Sequence, residues 1–318
     1  MSRENMKGKT CPSKLQKGDK IAIVSPATVV KEEYVEGAAD YFRQEGYQPI
    51  VMPSAKGPAF GSYAATHAAR LRDLIDAIEN PDIAAILCAR GGYGCVHLLA
   101  DPRLLAAVKR NPKWIVGFSD VSALHALWLK AGVMSIHGPM AKHITIESSD
   151  DPCTESLLNL LSQDPIMDYS VSPSPFNRIG KAKGELRGGN LAVLNGLAST
   201  PFDILSVSEN EEVILFIEDI SEAIYAVERM LMRLYLSGTL SRIKGLIIGQ
   251  FTEYRPDKNF VSIEEMIDAL LTRFGVNDIP VAFNFPVGHV SNNLPLVEGS
   301  LVELEVLPDG VTLKTISL

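Results

Sequence analysis

The sequence predicts an α/β protein built on mostly parallel sheets and divided into two units. From Lys20 onward, short β-branched runs alternate with longer segments whose apolar residues recur at helical spacing, the pattern of βαβ units. At 318 residues the chain is long enough for two domains of roughly 150 residues each. With 46% hydrophobic and 21% charged residues, it can bury a core in both. The periodicity weakens between residues 148 and 183, where DYSVSPSPFNRIGK concentrates Ser and Pro as an extended connection does. The division is therefore expected at 1–165 and 166–318.

Residues 21–24 form a buried-strand run ended by Ser25-Pro26, after which Tyr34, Val35, Ala38, Ala39 and Phe42 share one helical face. Strand 48–52 follows, then a helix over 64–79 with Leu71, Leu74, Ile75 and Ile78 on one side, then strand 83–88. The pattern repeats with strand 114–118, helix 120–130 closed by Gly132, and a short strand 134–137 stopped by Gly138-Pro139. Beyond the connection come strand 184–186, a helix from Leu191 led by Gly188-Gly189-Asn190, strand 213–217 and helix 223–236. Strands 245–249 and 281–284 flank a helix near 263–274. The end, 296–316, alternates like an antiparallel hairpin turned at Pro308-Asp309-Gly310. There is no internal repeat and no low-complexity tract.

Thirty Lys and Arg against 38 Asp and Glu give a net charge of −8, which argues against binding nucleic acid or an anionic membrane. The first twenty residues are polar and charged with no apolar core of a signal peptide, and runs such as 213–217 fall far short of the roughly 18 residues a membrane span needs. A cytoplasmic protein is expected. Cys11, Cys88, Cys95 and Cys153 form no Cys-x-x-Cys pair, so reduced thiols are expected rather than a disulfide framework or a four-Cys zinc site.

In open α/β sheets ligands bind beyond the carboxyl ends of the strands, so the residues just after each strand carry the functional signal. After 83–88 comes Ala89-Arg90-Gly91-Gly92-Tyr93-Gly94, whose glycines allow backbone N–H groups to approach a ligand closely. It is neither a dinucleotide fingerprint nor a Walker loop, and a plain tight turn would also explain it. After 114–118 comes Ser119-Asp120, either a helix N-cap or a nucleophile held at a strand-to-helix junction. Gly117 and Ser119 echo a nucleophile elbow, although Val121 stands where its last glycine would be. The second half supplies a carboxylate pair, Glu218-Asp219, and a histidine, His289 after Gly288, each at a strand end. Alone, these read more readily as a solvated loop acid and a surface or core-edge histidine. The order serine, acid, histidine is one of the known triad orders.

The ordered set KGDKIAIVSPA, ARGGYG, GFSD, HGPM, GELRGGNL, FIED, AVERML and PVGH, from about residue 16 to about 304, resembles the LD-carboxypeptidase family. That family comprises serine peptidases of muropeptide recycling and relatives that include the microcin-C self-immunity peptidases. The resemblance implies a triad of Ser119, Glu218 and His289, and an oxyanion hole from the backbone N–H groups of Asp120 and Gly92. It also implies a flavodoxin-like N-terminal domain, a smaller C-terminal β/α domain and a homodimer. Choosing Glu218 over Asp219 depends on the motif, because the preceding strand is apolar at every position and its parity is silent.

Other residues carry smaller expectations. Cys95 lies near a helix start, whose dipole would lower its pKa, with His97 close by. His137 and His143 have no carboxylate or cysteine at ligand spacing, and His137 is expected to line the cleft. His67 and His125 read as packing or surface residues, and Arg90, Arg187 and Arg229 as cations that could meet a substrate carboxylate or form ordinary salt bridges. The expected activity is release of the terminal D-alanine from a murein tetrapeptide without metal or nucleotide cofactor. The alternatives are the same triad acting on a peptidyl-nucleotide antibiotic, and a catalytically silent module using the RGGYG turn as an anion nest.

Overall fold

A computed structural model describes residues 9–147 and 151–318. The first eight residues of the polar N-terminal stretch and residues 148–150, at the head of the expected connection, lie outside the described residues.

The first sheet contains β1 (Lys20–Val24), β2 (Gln48–Val51), β3 (Ile83–Cys88), β4 (Trp114–Gly117) and β5 (Ser135–His137), all parallel and ordered β2-β1-β3-β4-β5. This is the flavodoxin-like order of a doubly wound sheet. β1, β3 and β4 are buried along almost their whole length, which is why they read as apolar runs rather than alternating ones. The order reverses between β1 and β3, and there the loops following them meet. Thr28 N donates to Gly91 O at 3.3 Å, and Tyr93 N donates to the Thr28 hydroxyl at 2.9 Å. Such a switch point is where an open α/β sheet forms its crevice.

The second sheet holds β6 (Asp168–Val171), β7 (Gly180–Asn190), β8 (Val213–Ile220), β9 (Gly245–Thr252), β10 (Val281–Ala282), β12 (Leu301–Leu307) and β13 (Gly310–Ser317). Its order is β10-β9-β8-β7-β12-β13-β6, parallel from β10 to β7 and antiparallel from β7 to β6. The remaining strand, β11 (Leu296–Glu298), belongs to the first sheet, where it pairs antiparallel with β5. Helices Ser122–Ala131 and Leu191–Asn195 contribute Leu124, Leu127, Leu191 and Leu194 to one buried cluster that runs through both halves.

Several boundaries differ from the sequence reading. The terminal hairpin is β12 and β13 only, with Leu307 paired to Gly310 across Pro308-Asp309, whereas 296–298 crosses back to β5. Part of the expected connection is the helix Pro152–Ser162, started by Asp151 accepting from Thr154 N and by Pro152 in the first turn. A second part is the edge strand β6. The same Asp-Pro signal starts Pro102–Arg110, a helix absent from the sequence reading. β8 and β9 also run on past the polar residues at which the reading ended them. No described helix is long and apolar enough to cross a membrane.

Candidate active site

β4 delivers Phe118 in extended geometry, with φ −148° and ψ −171°, and Ser119 then takes φ +64°. A non-glycine residue is rarely held in that left-handed region, and such strain is concentrated at functional sites. A 3-10 turn, Ser119–Val121, follows and runs directly into the helix Ser122–Ala131. Val121 N donates to Phe118 O at 3.2 Å, which leaves the Asp120 N–H ahead of the first donor of the turn. The buried Asp120 carboxyl accepts from Cys95 N at 2.8 Å and so ties this junction to the glycine-rich turn after β3. Burial pushes the Asp120 carboxyl above the usual range.

The two loops touch so closely that a side chain at Gly91 would crowd them. A Cβ on Gly91 would stand 3.0 Å from Ser119 Cβ and 3.1 Å from Asp120 N. Gly92, at φ +102°, is turned against Thr28, whose hydroxyl would lie 2.1 Å from any Cβ there. Thr28 was missed by the sequence reading, which examined the ends of β3 and β4 but not that of β1.

From the second sheet, His289 Nδ1 lies 2.8 Å from Glu218 Oε2, with Glu218 fully buried. The contact depends on two backbone features. The β8–β9 register shifts between Ile217 and Asp219, so Gly249 and Gln250 together face Glu218, a bulge that re-aims the side chain. Gly288, at φ +123°, lets the loop after β10 settle on the carboxylate, since a Cβ there would be 2.9 Å from Glu218 Oε2. Asp219 is directed elsewhere. Its Oδ1 accepts from Asn190 Nδ2 and Ile220 N, and its Oδ2 from Ala192 N, each at 2.9 Å, so it caps the helix Leu191–Asn195. Burial and then the charge of Glu218 raise its carboxyl to about 6.

The halves meet at Phe118, whose ring packs edge-on against the His289 imidazole with centroids 4.9 Å apart. Ser122 Oγ also accepts from Asn190 N at 2.9 Å, and Gly189, at φ +126°, leaves room for that hydroxyl. Ser119 and His289 thus come from different sheets and are joined through Phe118.

The cations do not converge on this place. Arg187 is committed to Glu185 and Glu211 at 3.0 and 2.6 Å, and Arg229 lies over the Tyr225 ring and lines a groove with Asp203 and Arg233. Arg90, beside the glycine turn, is exposed and donates to Val29 O at 2.9 Å.

Cys95 corrects one expectation. Its thiol is completely buried, and burial followed by the Asp120 charge raises it well above the ordinary thiol value, the opposite of activation at a helix start. His97 points its Nε2 to the Tyr93 hydroxyl at 3.2 Å. In native protein, Cys88 and Cys95 should resist a thiol-specific disulfide reagent and react only after denaturation, and Cys95→Ala should keep at least about half the turnover. Rapid native labelling of Cys95 with loss of activity would contradict this.

His137 is a second correction. It is fully buried, packed against Phe118 and Phe216 at 5.9 and 5.1 Å, rather than lining the cleft. His143 instead pairs with Asp151 at 2.8 Å. The fold does give His137 a carboxylate neighbour that spacing could not reveal, because ligand atoms of His125, His137 and Glu298 lie within 4.8 Å of one another. His125 is a core histidine, bonded to Gly117 O and Ser135 Oγ at 2.8 Å each, and burial lowers it to about 4. Between pH 6.5 and about 4 the unfolded chain therefore binds a proton at this residue that the folded chain does not, so acidification destabilises the fold. The loss should approach about 3 kcal/mol across that window. Urea denaturation at pH 7.5 and 5 should show a shallower decline in His125→Gln; an identical decline would remove His125 as its source.

The model of the LD-carboxypeptidase N-terminal domain matches residues 21–138, and that of the LD-carboxypeptidase C-terminal domain matches residues 183–304. A putative carboxypeptidase of Synechocystis sp. is 34% identical over 92% of this chain and 94% of its own length. A probable murein peptide carboxypeptidase of Bacillus subtilis is 30% identical, covering 91% and 89%. Among solved structures, a muramoyltetrapeptide carboxypeptidase from Oxalobacter formigenes superposes with a TM-score of 0.79 at 28% identity, covering 93% of this chain and 98% of that one.

Proposed function

The chain belongs to the LD-carboxypeptidase family of serine peptidases, and from that premise we propose that it releases the terminal D-alanine of murein tetrapeptides through Ser119, His289 and Glu218. The observation that carries the assignment is the 2.8 Å pair of His289 Nδ1 and Glu218, seated against the Phe118 ring that precedes the strained Ser119.

With Nδ1 held by the carboxylate, His289 Nε2 is the nitrogen left to take the Ser119 proton as Oγ attacks the scissile carbonyl. The same proton passes to the leaving amine of D-alanine. Water, deprotonated by His289, then hydrolyses the acyl-enzyme, and the proton returns to Ser119. Glu218 fixes the imidazole tautomer and stabilises the imidazolium. The N–H groups of Asp120 and Gly92 bind the oxyanion, an interaction of about 3 kcal/mol per donor. The paired carboxylate and strained serine support an enzyme over a silent anion-binding module. The murein peptide is favoured by the relatives whose names carry it. The family reading extends to a homodimer, which sedimentation would test; a cytoplasmic location is proposed separately, and cell fractionation would test it.

The deciding experiment incubates purified protein and chelator with a muropeptide mixture and reads masses. Tetrapeptides should become tripeptides with release of alanine. Untouched tetrapeptides together with cleavage of a peptidyl-nucleotide would move the activity to the other branch.

A further inference from the structure

Three fully buried ionisable side chains meet beneath this site: His125 from the helix Ser122–Ala131, His137 from the end of β5 and Glu298 from β11. Their polar atoms are unequally satisfied. His125 Nε2 must donate to Gly117 O, and its Nδ1 accepts from the Ser135 hydroxyl, so both ring nitrogens are occupied. By contrast, Glu298 Oε1 and both nitrogens of His137 have no hydrogen-bond partner among the described residues. Glu298 Oε2 has one distant donor, Gly188 N at 3.4 Å.

The surroundings of Glu298 oppose a negative charge. His125 Nδ1 stands 3.9 Å from Oε1 but presents a lone pair, and Glu185 on β7 is itself acidic. Lys9 and Arg187 are both committed to Glu185, at 3.4 and 3.0 Å. An ionised carboxylate here would have one poor donor and no paired Lys or Arg among the described residues, the costliest condition for a buried acid. A neutral carboxylic acid has a proton to donate, and His137 offers the free acceptor. Their atoms lie within 4.8 Å of each other yet make no direct hydrogen bond, a spacing that suits one bridging water.

We propose that Glu298 is a protonated carboxylic acid at neutral pH that donates through one buried water to His137, and that it thereby acts as a positioning residue for the Ser119–His289 site. The link runs through Phe118, whose ring contacts both His137, at 5.9 Å, and His289, at 4.9 Å. A neutral His137 holds that ring without placing a second cation beside the imidazolium that forms on His289. A metal at the same place would require His125 to abandon Ser135 and Glu298 to ionise. The predicted effect on turnover rests on the triad reading, whereas the protonation state does not.

Full-length Glu298→Ala, which leaves His137 without a donor, should lower kcat about tenfold with KM unchanged. Glu298→Gln restores an uncharged donor of the same shape and should recover kcat to within about twofold, with the pH profile of kcat/KM in place. Should the alanine variant fail to fold, infrared difference spectroscopy still decides. Wild-type protein at pH 7 should show the C=O stretch of a protonated carboxyl group that disappears in Glu298→Gln. Absence of that band would overturn the proposal. So would a loss beyond tenfold, or a displaced pH profile, in a folded Glu298→Gln variant. Visible bands on adding Co²⁺ to wild type but not to Glu298→Gln would assign a metal site instead. Should the triad reading fail, Ser119→Ala would remain active while the infrared band persisted.

Discussion

Ser119→Ala is expected to lower kcat by about 10⁴-fold or more while leaving substrate affinity and the fold nearly unchanged. The substitution deletes one hydroxyl and retains the Cβ, so the 3-10 turn, the Asp120 bond to Cys95 N and the contact with Gly91 all survive. It also keeps the backbone strain, because alanine at φ +64° is as disfavoured as serine. Ser119→Gly should be equally inactive yet more stable than Ser119→Ala by about 1 kcal/mol, since glycine adopts that conformation freely. Tripeptide release read by mass and thermal melts of the three proteins check both parts. Wild-type-like turnover in the alanine variant would end the serine assignment. Equal stability of the alanine and glycine variants would mean that the turn relaxes once the hydroxyl is gone.

Glu218→Gln should cost about 10³- to 10⁴-fold in kcat, because the amide keeps the shape but can no longer hold the imidazole as a charged acceptor. Asp219→Asn, one residue along, should behave differently. Its Oδ2 accepts from Ala192 N, and an amide nitrogen placed there would oppose that N–H, so stability should fall by about 1–3 kcal/mol. Turnover should stay within about tenfold of wild type, since Asp219 makes its bonds to Asn190, Ala192 and Ile220 rather than to His289. Parallel measurement of kcat and urea midpoints separates the two variants. If Asp219→Asn carried the large kcat loss and Glu218→Gln only the stability loss, the roles of the two acids would be reversed.

The contrast between these adjacent acids marks how far sequence reasoning reaches. β1 and β3 were readable because strands covered on both faces need consecutive apolar residues, and Ser119 stood out because a hydroxyl follows β4 where a helix begins. The direction of Glu218 was not readable, because it depends on a register shift against β9 that leaves no local trace in an all-apolar strand. Likewise, nothing near Glu298 announces a partner for His137. Those two side chains meet only because a three-residue strand returns across the fold, and three residues are too few for periodicity to signal. The helix Pro102–Arg110 is different. Its Asp101-Pro102 start was present in the sequence and went unused.

That returning strand also sets an order of events during synthesis. The outer edge of β5 is completed by Leu296–Glu298, which leaves the ribosome about 160 residues after β5 itself, a delay on the order of 10–30 s at ordinary elongation rates. Throughout that interval the nascent first half presents an unpaired strand edge, a template for pairing with another chain. Ribosome-bound chains stalled before residue 296 should therefore be held by chaperones or aggregate, and chains stalled far enough beyond residue 298 for the strand to emerge should not.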